Sequence, residues 1–273
     1  MFSTLKRRIE KRILSRLLPH DFYFCLEGYC PCCQRMTEFL SYDPWLRDNF
    51  RCTSCGSIPR HRALLKILEL CYPNWSQLTI HESSPSGGGA SARLKAECRE
   101  YLASQYFPDK PFGSLIDGYR NENLEALTFS DKSADIVITQ DVLEHVYDPR
   151  AVFREVARIL RPGGAHIFTV PIVNKHRPTQ LWATKNADGT PQFLHEPEFH
   201  GNPVDPKGSP VTMHWGYDIV DYIRDACGLN TVIEYVDDLS RGIRADYSEV
   251  LITRRPAEVV HEAMRRSDRL KES

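Results

Sequence analysis

The chain has 273 residues, 41% hydrophobic and 26% charged, which is ordinary for a globular protein and long enough for one large domain with a small accessory module. The formal net charge of −1 argues against a dedicated nucleic-acid binder, because such proteins carry a basic excess or a basic stripe. No apolar run approaches the roughly 18 residues that a membrane-spanning helix needs.

Residues 1–24 are predicted to hold a basic amphipathic helix, because apolar residues recur at three- and four-residue steps over 1–18 with Lys and Arg between them. This helix is predicted either to lie on an anionic membrane surface or to dock on its own domain. The scattered apolar residues do not make a signal peptide. We therefore expect a cytoplasmic protein with reduced cysteines, and peripheral contact with the inner membrane surface as one option.

Two cysteine pairs stand out in residues 25–60. Cys30, Cys33, Cys52 and Cys55 form a C-x2-C, eighteen residues, C-x2-C pattern. Each pair can aim two thiolates at one point, and four thiolates make the closed tetrahedral shell that structural zinc prefers. The segment is predicted to be a zinc ribbon that holds Zn2+ as a structural ion.

A basic cluster follows the cysteines, at the start of a helix predicted over residues 61–72. It consists of Arg60, His61 and Arg62. Arginine forks suit a phosphate or carboxylate on a substrate, which is one interpretation. The other is that the cluster pins the ribbon to the main domain.

From residue 78 onward, strand-like and helix-like runs alternate. The predicted strands are "LTIHE", "YLASQ", "ADIVITQD" and "AHIFTVP", and the predicted helices are "ASARLKAECRE" and "PRAVFREVARIL", the latter ended by Gly163 and Gly164. This order predicts an α/β fold with a parallel sheet covered by helices. A predicted helix ended by Gly228 then precedes two predicted strands. No long helix lies between these two strands, so they are expected to form a hairpin whose last strand runs antiparallel to the others. Residues 256–273 are predicted to be a polar tail.

Small and polar residues follow two of the predicted strands. The first of these strands is followed by "SSPSGGGAS", a loop of small residues. The string "ADIVITQDVLEHV" places Gln140 and Asp141 at the end of a buried strand, and Glu144 and His145 at the predicted start of a helix. Ligands bind at the carboxyl ends of strands in open α/β sheets, so both places are candidate binding positions.

Over roughly residues 78–254 these strings, together with "NENLEALTFS" and "ILRPGGAHIFTVP", resemble the class I S-adenosylmethionine-dependent methyltransferases of type 11. The likeness is greatest to small-molecule and sugar methyltransferases that carry an amino-terminal zinc ribbon and an "RHR" segment. Several of those are associated with polysaccharide or glycolipid biosynthesis. The resemblance implies a Rossmann-like domain over residues 61–255 and S-adenosylmethionine as cofactor.

The resemblance also implies the cofactor contacts. Glu82 is the acid that ends the first strand, and the three glycine places after it hold Ser84, Ser86 and Gly88. Serine is small enough for the backbone to approach a ligand, so the loop is interpreted as altered and still binding. Gln105 stands where an acid normally holds the ribose. The remaining expected contacts are Asn123, Leu124, Gln140 and Asp141.

Methyl transfer to an oxygen needs orientation and a base. His145 is the first candidate base, with an internal hydrogen bond that orders its loop as the alternative. His200 is the second, within an insert over residues 174–213 that is predicted to be a structureless lid. The spacing of the insert's histidines fits no common metal motif. Substrate contacts are predicted for His195, His214 and Trp215, and a surface lid with scattered histidines is the alternative for all of them.

The sequence therefore predicts an S-adenosylmethionine-dependent O-methyltransferase for a small molecule, such as a sugar, polysaccharide or lipid-linked glycolipid precursor. One alternative is an rRNA or other nucleic-acid methyltransferase with a zinc ribbon, which the charge disfavours. The other is a non-catalytic binding protein of the same fold, suggested by Ser84, Ser86, Gln105 and Asn123.

Overall fold

The computed structural model describes residues 23–202 and 204–258. The helix predicted over residues 1–24 and the tail predicted over 256–273 lie almost wholly outside the described residues, so membrane contact stays a prediction. Within the described part of the chain, no helix combines the length and the apolar character needed to cross a bilayer.

The amino-terminal unit is a three-stranded antiparallel sheet. Its strands are β1 (Phe24–Cys30), β2 (Arg35–Ser41) and β3 (Arg51–Cys52), paired in the order β1-β2-β3. The short helix α1 (Leu46–Asn49) connects β2 to β3. Helix α2 (Pro59–Cys71) follows close to where it is predicted, with proline in its first turn, where the missing N–H has no helical partner to lose.

Strands and helices then alternate as predicted. The strands are β4 (Thr79–Ser83), β5 (Glu100–Gln105), β6 (Leu115–Ile116), β7 (Tyr119–Asn121), β8 (Ala134–Gln140) and β9 (Leu160–Thr169). The helices are α3 (Gly89–Glu97) and α4 (Pro149–Ile159). Strands β9, β8, β4, β5 and β7 are parallel neighbours, which brings their carboxyl ends to one edge of the sheet.

The insert is not structureless. It forms three short antiparallel pairs, β10 (Gln180–Leu181) with β15 (Met213–His214), β11 (Ala183–Lys185) with β12 (Pro191–Phe193), and β13 (Phe199–His200) with β14 (Ser209–Pro210). Backbone pairing of this kind gives the insert a defined path over the sheet edge.

The carboxyl-terminal part completes the sheet. Helix α5 (Ile219–Cys227) ends at Gly228 as predicted, with a φ of 76° that suits glycine. Strands β16 (Asn230–Glu234) and β17 (Val250–Arg254) form the predicted hairpin, and β17 runs antiparallel to β9. The full order is β16-β17-β9-β8-β4-β5-β7-β6, a Rossmann-like arrangement with a mostly parallel sheet.

The core has two layers because successive strand residues point to opposite faces of the sheet. Ile136 and Ile138 of β8 pack on the side of α2 and α3, together with Phe39 and Phe50 of the amino-terminal unit. Val137 packs on the other side, against α4 and α5. The amino-terminal sheet therefore shares a hydrophobic core with the main domain.

Two local predictions are wrong. Gly163 and Gly164 do not end α4 but lie inside β9, where Gly164 comes so close to the Asp135 carbonyl that a Cβ would overlap it. Glu144 and His145 lie in a loop and not in a helix. Helix α4 begins only at Pro149, because the Asp148 side chain caps it by accepting a hydrogen bond from the Ala151 N–H at 3.0 Å.

Candidate functional site

Glu82 lies at the carboxyl end of β4 and is fully buried. Its carboxylate accepts hydrogen bonds from Ser91 Oγ at 2.6 Å, Tyr101 Oη at 2.8 Å and Gln140 Nε2 at 2.7 Å. Burial raises the pKa of Glu82, and these three hydrogen bonds oppose the shift. Glu82 therefore ties together α3, β5 and β8, and most of its acceptor capacity is used inside the protein.

The loop after β4 keeps an open backbone surface. Ser84 has a φ of 53°, the left-handed conformation that a glycine would adopt freely, and its N–H donates to the Ser104 carbonyl at 2.8 Å. Ser86 Oγ donates to the Gly88 carbonyl at 2.8 Å. A Cβ added to Gly87 or Gly88 would meet no atom within 4 Å. The loop thus forms a cradle in which the backbone of Gly87 and Gly88 faces free space. A ligand needs such free space to come close to the backbone.

The end of β5 lies beside this cradle. Gln105 is buried there, and its backbone carbonyl accepts a hydrogen bond from the Glu122 N–H at 3.0 Å. Asn123 Oδ1 accepts from the Glu125 N–H at 3.0 Å, whereas Leu124 packs in the core on the α4 side. Sequence reasoning missed the neighbouring aromatic pair Tyr106 and Phe112, whose half-exposed rings stack with centroids 6.0 Å apart.

Asp141, at the end of β8, is held by two arginines from the amino-terminal part of the chain. Its carboxylate lies 2.6 Å from Arg47 Nη2 and 3.0 Å from Arg60 Nε, and it accepts from Thr169 Oγ1 at 2.9 Å. Burial alone would raise the pKa of Asp141, but Arg60 and Arg47 outweigh it and lower the pKa to about 2. Arg47 was missed because it lies on a four-residue helix with no recognisable motif.

The three residues of the basic cluster have different surroundings. Arg62 is fully buried and donates to the carbonyls of Phe50 and Gly242, so it joins the amino-terminal unit to the main domain, as the second of the two interpretations expects. His61 packs on Gly89, and burial lowers its pKa to about 3, which keeps its ring neutral. Arg60 alone reaches Asp141 at the sheet edge.

The four cysteines of the predicted ribbon converge. Their Sγ atoms all lie within 4.8 Å of one another, with Cys30 and Cys55 3.7 Å apart and Cys33 and Cys52 3.8 Å apart. A tetrahedral zinc ion with Zn–S bonds of about 2.3 Å holds its sulfurs about 3.8 Å apart. The donor set and its spacing therefore fit a closed four-thiolate metal site.

A second cluster lies just beyond Asp141 and consists of Glu144, His145 and His200. The Glu144 side chain is 1% exposed, and neither carboxylate oxygen has a hydrogen-bond partner among the described residues. Its Oε1 lies 3.8 Å from His145 Nε2 and 3.9 Å from His200 Nδ1. Burial, and then the charge of Asp141, raise the pKa of Glu144 to about 8.

The histidines of the insert are organised around Glu198 and Trp182. Glu198 contacts His200 Nε2 at 3.2 Å and His214 Nε2 at 2.9 Å. The Trp182 ring stacks on His214 and His195, with centroids 3.7 and 4.2 Å away. Trp182 carries no sequence signal, because its partners are distant in the chain.

Trp215 is not at the site. Its indole is fully buried and packs against Phe153 and Tyr222 in the core between α4 and α5. It therefore cannot form a wall of a substrate pocket, and that prediction is wrong. The apolar ring is drawn into the core because α4 and α5 leave a hydrophobic space between them.

Comparison with known proteins adds the following. Residues 92–168 match a family model described as a methyltransferase domain. A ubiquinone biosynthesis O-methyltransferase of Cereibacter sphaeroides is 31% identical over 123 residues, covering 38% of this chain and 49% of the relative. A protein of the same name from Parvibaculum lavamentivorans is 41% identical over 85 residues, covering 30% of this chain and 32% of the relative.

The chain thus spans about half the length of the first relative and about a third of the second. Among solved structures, an S-adenosylmethionine-dependent methyltransferase from Mesorhizobium loti aligns with a TM-score of 0.47 and 17% identity. That alignment covers 71% of this chain and 97% of the other.

Proposed function

Because the chain carries an S-adenosylmethionine-dependent methyltransferase domain, we propose that it transfers a methyl group from S-adenosylmethionine to an oxygen of a small molecule. The observation that carries this proposal is the open cradle at Gly87 and Gly88, at the carboxyl end of β4. Parallel sheets of this kind bind their ligands at that edge.

The residues around the cradle suit the parts of the cofactor. The loop from Ser84 to Gly88 offers backbone that a ligand can approach, and Gln105, at the end of β5, is proposed to bond the ribose hydroxyls. Tyr106 and Phe112 offer flat surfaces for a heterocycle. Glu82 acts here as the anchor of the loop, since its carboxylate already accepts three hydrogen bonds. When bound, the cofactor supplies the methyl group as an electrophile.

The acceptor is proposed to lie between the sheet edge and the insert. His145 and His200 each direct a ring nitrogen toward Glu144, three residues after Asp141. The insert also exposes Leu181, Leu194 and Phe199, which suits an acceptor with a lipid or other apolar portion. We propose a glycolipid precursor for this surface, or an acceptor of the ubiquinone biosynthesis that the relatives' names give.

The four-cysteine cluster is proposed to hold structural Zn2+. Four protein thiolates leave the ion no open position, so it would stabilise the amino-terminal sheet without taking part in the reaction.

Calorimetric titration of the zinc-loaded chain with S-adenosylmethionine and S-adenosylhomocysteine tests the proposal. We expect both to bind, and Gly88→Leu to weaken binding at least about tenfold. Gly88 has extended backbone and free space at its Cβ, so the variant should fold while its side chain fills the cradle. Gly201→Leu is the matched control, because its Cβ position is equally open but lies in the insert.

A second candidate function is a non-catalytic binding protein of the same fold. One observation favours it. The carboxylates of Glu82 and Asp141 already have hydrogen-bond or ion-pair partners within the chain, so neither needs a cofactor as a partner. If folded wild-type protein binds neither cofactor form, the enzyme proposal fails and this candidate replaces it.

A further inference from the structure

We propose that Glu144, His145 and His200 form a binding site for a divalent transition-metal ion, separate from the four-cysteine cluster. One ligand atom from each residue lies within 4.8 Å of the other two. Glu144 and His145 come from the loop after β8, and His200 comes from β13 of the insert. The site would therefore join the insert to the edge of the sheet.

The first argument is the state of Glu144. A carboxylate that is 1% exposed normally accepts several hydrogen bonds, because burying it without partners is costly. Here both oxygens lack a partner among the described residues. The nearest groups are imidazole nitrogens at 3.8 and 3.9 Å, which is too far for a hydrogen bond. A cation bound between them would favour the ionised carboxylate and compensate its charge.

The second argument is the direction of the histidine lone pairs. His145 Nδ1 lies 2.8 Å from the Pro210 carbonyl, which can only accept, so Nδ1 carries the proton and Nε2 the lone pair. His200 Nε2 lies 3.2 Å from Glu198 Oε1, so Nε2 donates and Nδ1 carries the lone pair. Both lone pairs are therefore on the ring nitrogens that lie 3.8 and 3.9 Å from Glu144 Oε1, which places three electron donors around one point.

The third argument is the support behind the two rings. Histidines that bind metals usually donate their other N–H to a backbone carbonyl or a carboxylate, which fixes the ring and increases its basicity. Pro210 and Glu198 supply one partner of each kind. Glu198 is itself held by His214 at 2.9 Å, so the support extends into the insert.

The ligand set indicates the class of metal. Two imidazole nitrogens and one carboxylate suit Zn2+, Fe2+ or Co2+, whereas Mg2+ and Ca2+ prefer oxygen ligands only. The two separations from Glu144 Oε1, 3.8 Å to His145 Nε2 and 3.9 Å to His200 Nδ1, are shorter than the sum of two metal–ligand bonds, about 4.2 Å, so one ion can bind Glu144 together with either histidine nitrogen.

Three protein ligands leave coordination positions open, unlike the four-cysteine site. If the proposed function holds, an oxygen of the acceptor could occupy one of them. The metal site itself does not depend on that function, and its test uses neither cofactor nor acceptor.

The test is a calorimetric titration with Co2+, with Mg2+ as a comparison, followed by metal analysis. The zinc-loaded chain used here carries one equivalent of Zn2+, which the four thiolates bind first, so that the second site starts without a metal. We expect one Co2+ and one Zn2+ per chain, because Co2+ binds more weakly than Zn2+ and will not displace it from four thiolates. Mg2+ should show no saturable binding. His200→Ala and Glu144→Gln should weaken Co2+ binding at least about 100-fold, and Glu198→Gln about tenfold.

His195→Ala is the matched control, since this histidine lies in the same insert and stacks on Trp182 without facing Glu144. We expect it to bind Co2+ like the wild type. Absence of saturable Co2+ binding to zinc-loaded wild type overturns the proposal, and so does unchanged binding in His200→Ala. Because His200 is partly exposed in the insert, its variant provides an answer even if Glu144→Gln does not fold.

Discussion

Ser84 is a single residue at which sequence and backbone disagree. Its φ of 53° is a conformation that costs a non-glycine residue roughly 1–2 kcal/mol, and a glycine normally stands at this place in the resembled family. The serine is tolerated because the surrounding structure holds the turn in this conformation, through the hydrogen bond from the Ser84 N–H to the Ser104 carbonyl.

Ser84→Gly should therefore stabilise the protein, by about 0.5–1 kcal/mol after the extra flexibility of glycine in the unfolded chain is subtracted. Ser86→Gly should have the opposite effect, since it removes the hydroxyl that bonds the Gly88 carbonyl and contacts Ser91. Urea denaturation of the two variants and the wild type measures both changes. Equal effects of the two substitutions would contradict this explanation.

Glu82 shows how a residue's role can change with its surroundings. From the sequence it is expected to contact the cofactor, and the structure shows it bonded to Ser91, Tyr101 and Gln140. Those partners lie on α3, β5 and β8, so only the folded sheet brings them together.

At the scale of elements, the amino-terminal sheet is attached to the main domain by charges as well as by its core. Arg47 on α1 and Arg60 on α2 both contact Asp141 at the end of β8. All three side chains are at most 20% exposed, so the ion pairs are screened little by solvent.

Asp141→Asn should lower the free energy of unfolding by about 3 kcal/mol, because it removes the counter-charge of the buried Arg47 and leaves Arg60 with only the half-exposed Asp48. Chemical denaturation of the zinc-loaded protein checks this. Arg244→Gln is the control, since its ion pair with Asp237 is exposed and its loss should leave the stability unchanged. A stability change no larger than that of the control would show that the arginines find other partners.

The insert is the element that sequence reasoning described least well. Its strands are two or three residues long, too short for a period-two pattern to be visible. Its contacts with the loop after β8 include those of Thr212, whose N–H and Oγ1 both donate to the Glu144 carbonyl, and the hydrogen bond between His145 and the Pro210 carbonyl. These contacts join residues that are distant in the chain, so no local sequence pattern indicates them.

At the scale of the whole molecule, buried histidines link stability to pH. His81 on β4 and His166 on β9 flank Val137 of β8 within the sheet. Burial lowers the pKa of both from 6.5 to about 3, with smaller contributions from Arg120 and from His81 itself, respectively. Both are therefore neutral when folded, whereas below about pH 6.5 the unfolded chain binds a proton at each.

This contribution to stability is complete above pH 6.5 and is lost as the pH falls toward 3. Between pH 6.5 and 5 we expect a loss of roughly 1.5 kcal/mol per histidine. Denaturation curves at several pH values should show a shallower loss in His81→Leu than in wild type, and no difference in the exposed control His195→Leu. Any release of metal from the four cysteines at acid pH would affect all three proteins alike, so an identical slope in His81→Leu would contradict the assignment.

The sequence by itself determined the alternation of strands and helices, the reversed last strand, the convergence of Cys30, Cys33, Cys52 and Cys55, and the methyltransferase resemblance. Those features depend on neighbours in the chain, where periodicity and short spacings carry the signal. Only the tertiary structure decided that Asp141 meets Arg47 and Arg60, that Trp215 is a core residue, and that Glu144 faces His145 and His200. These side chains meet because parallel strands bring their ends to one edge, and the insert and the amino-terminal unit then fold over it.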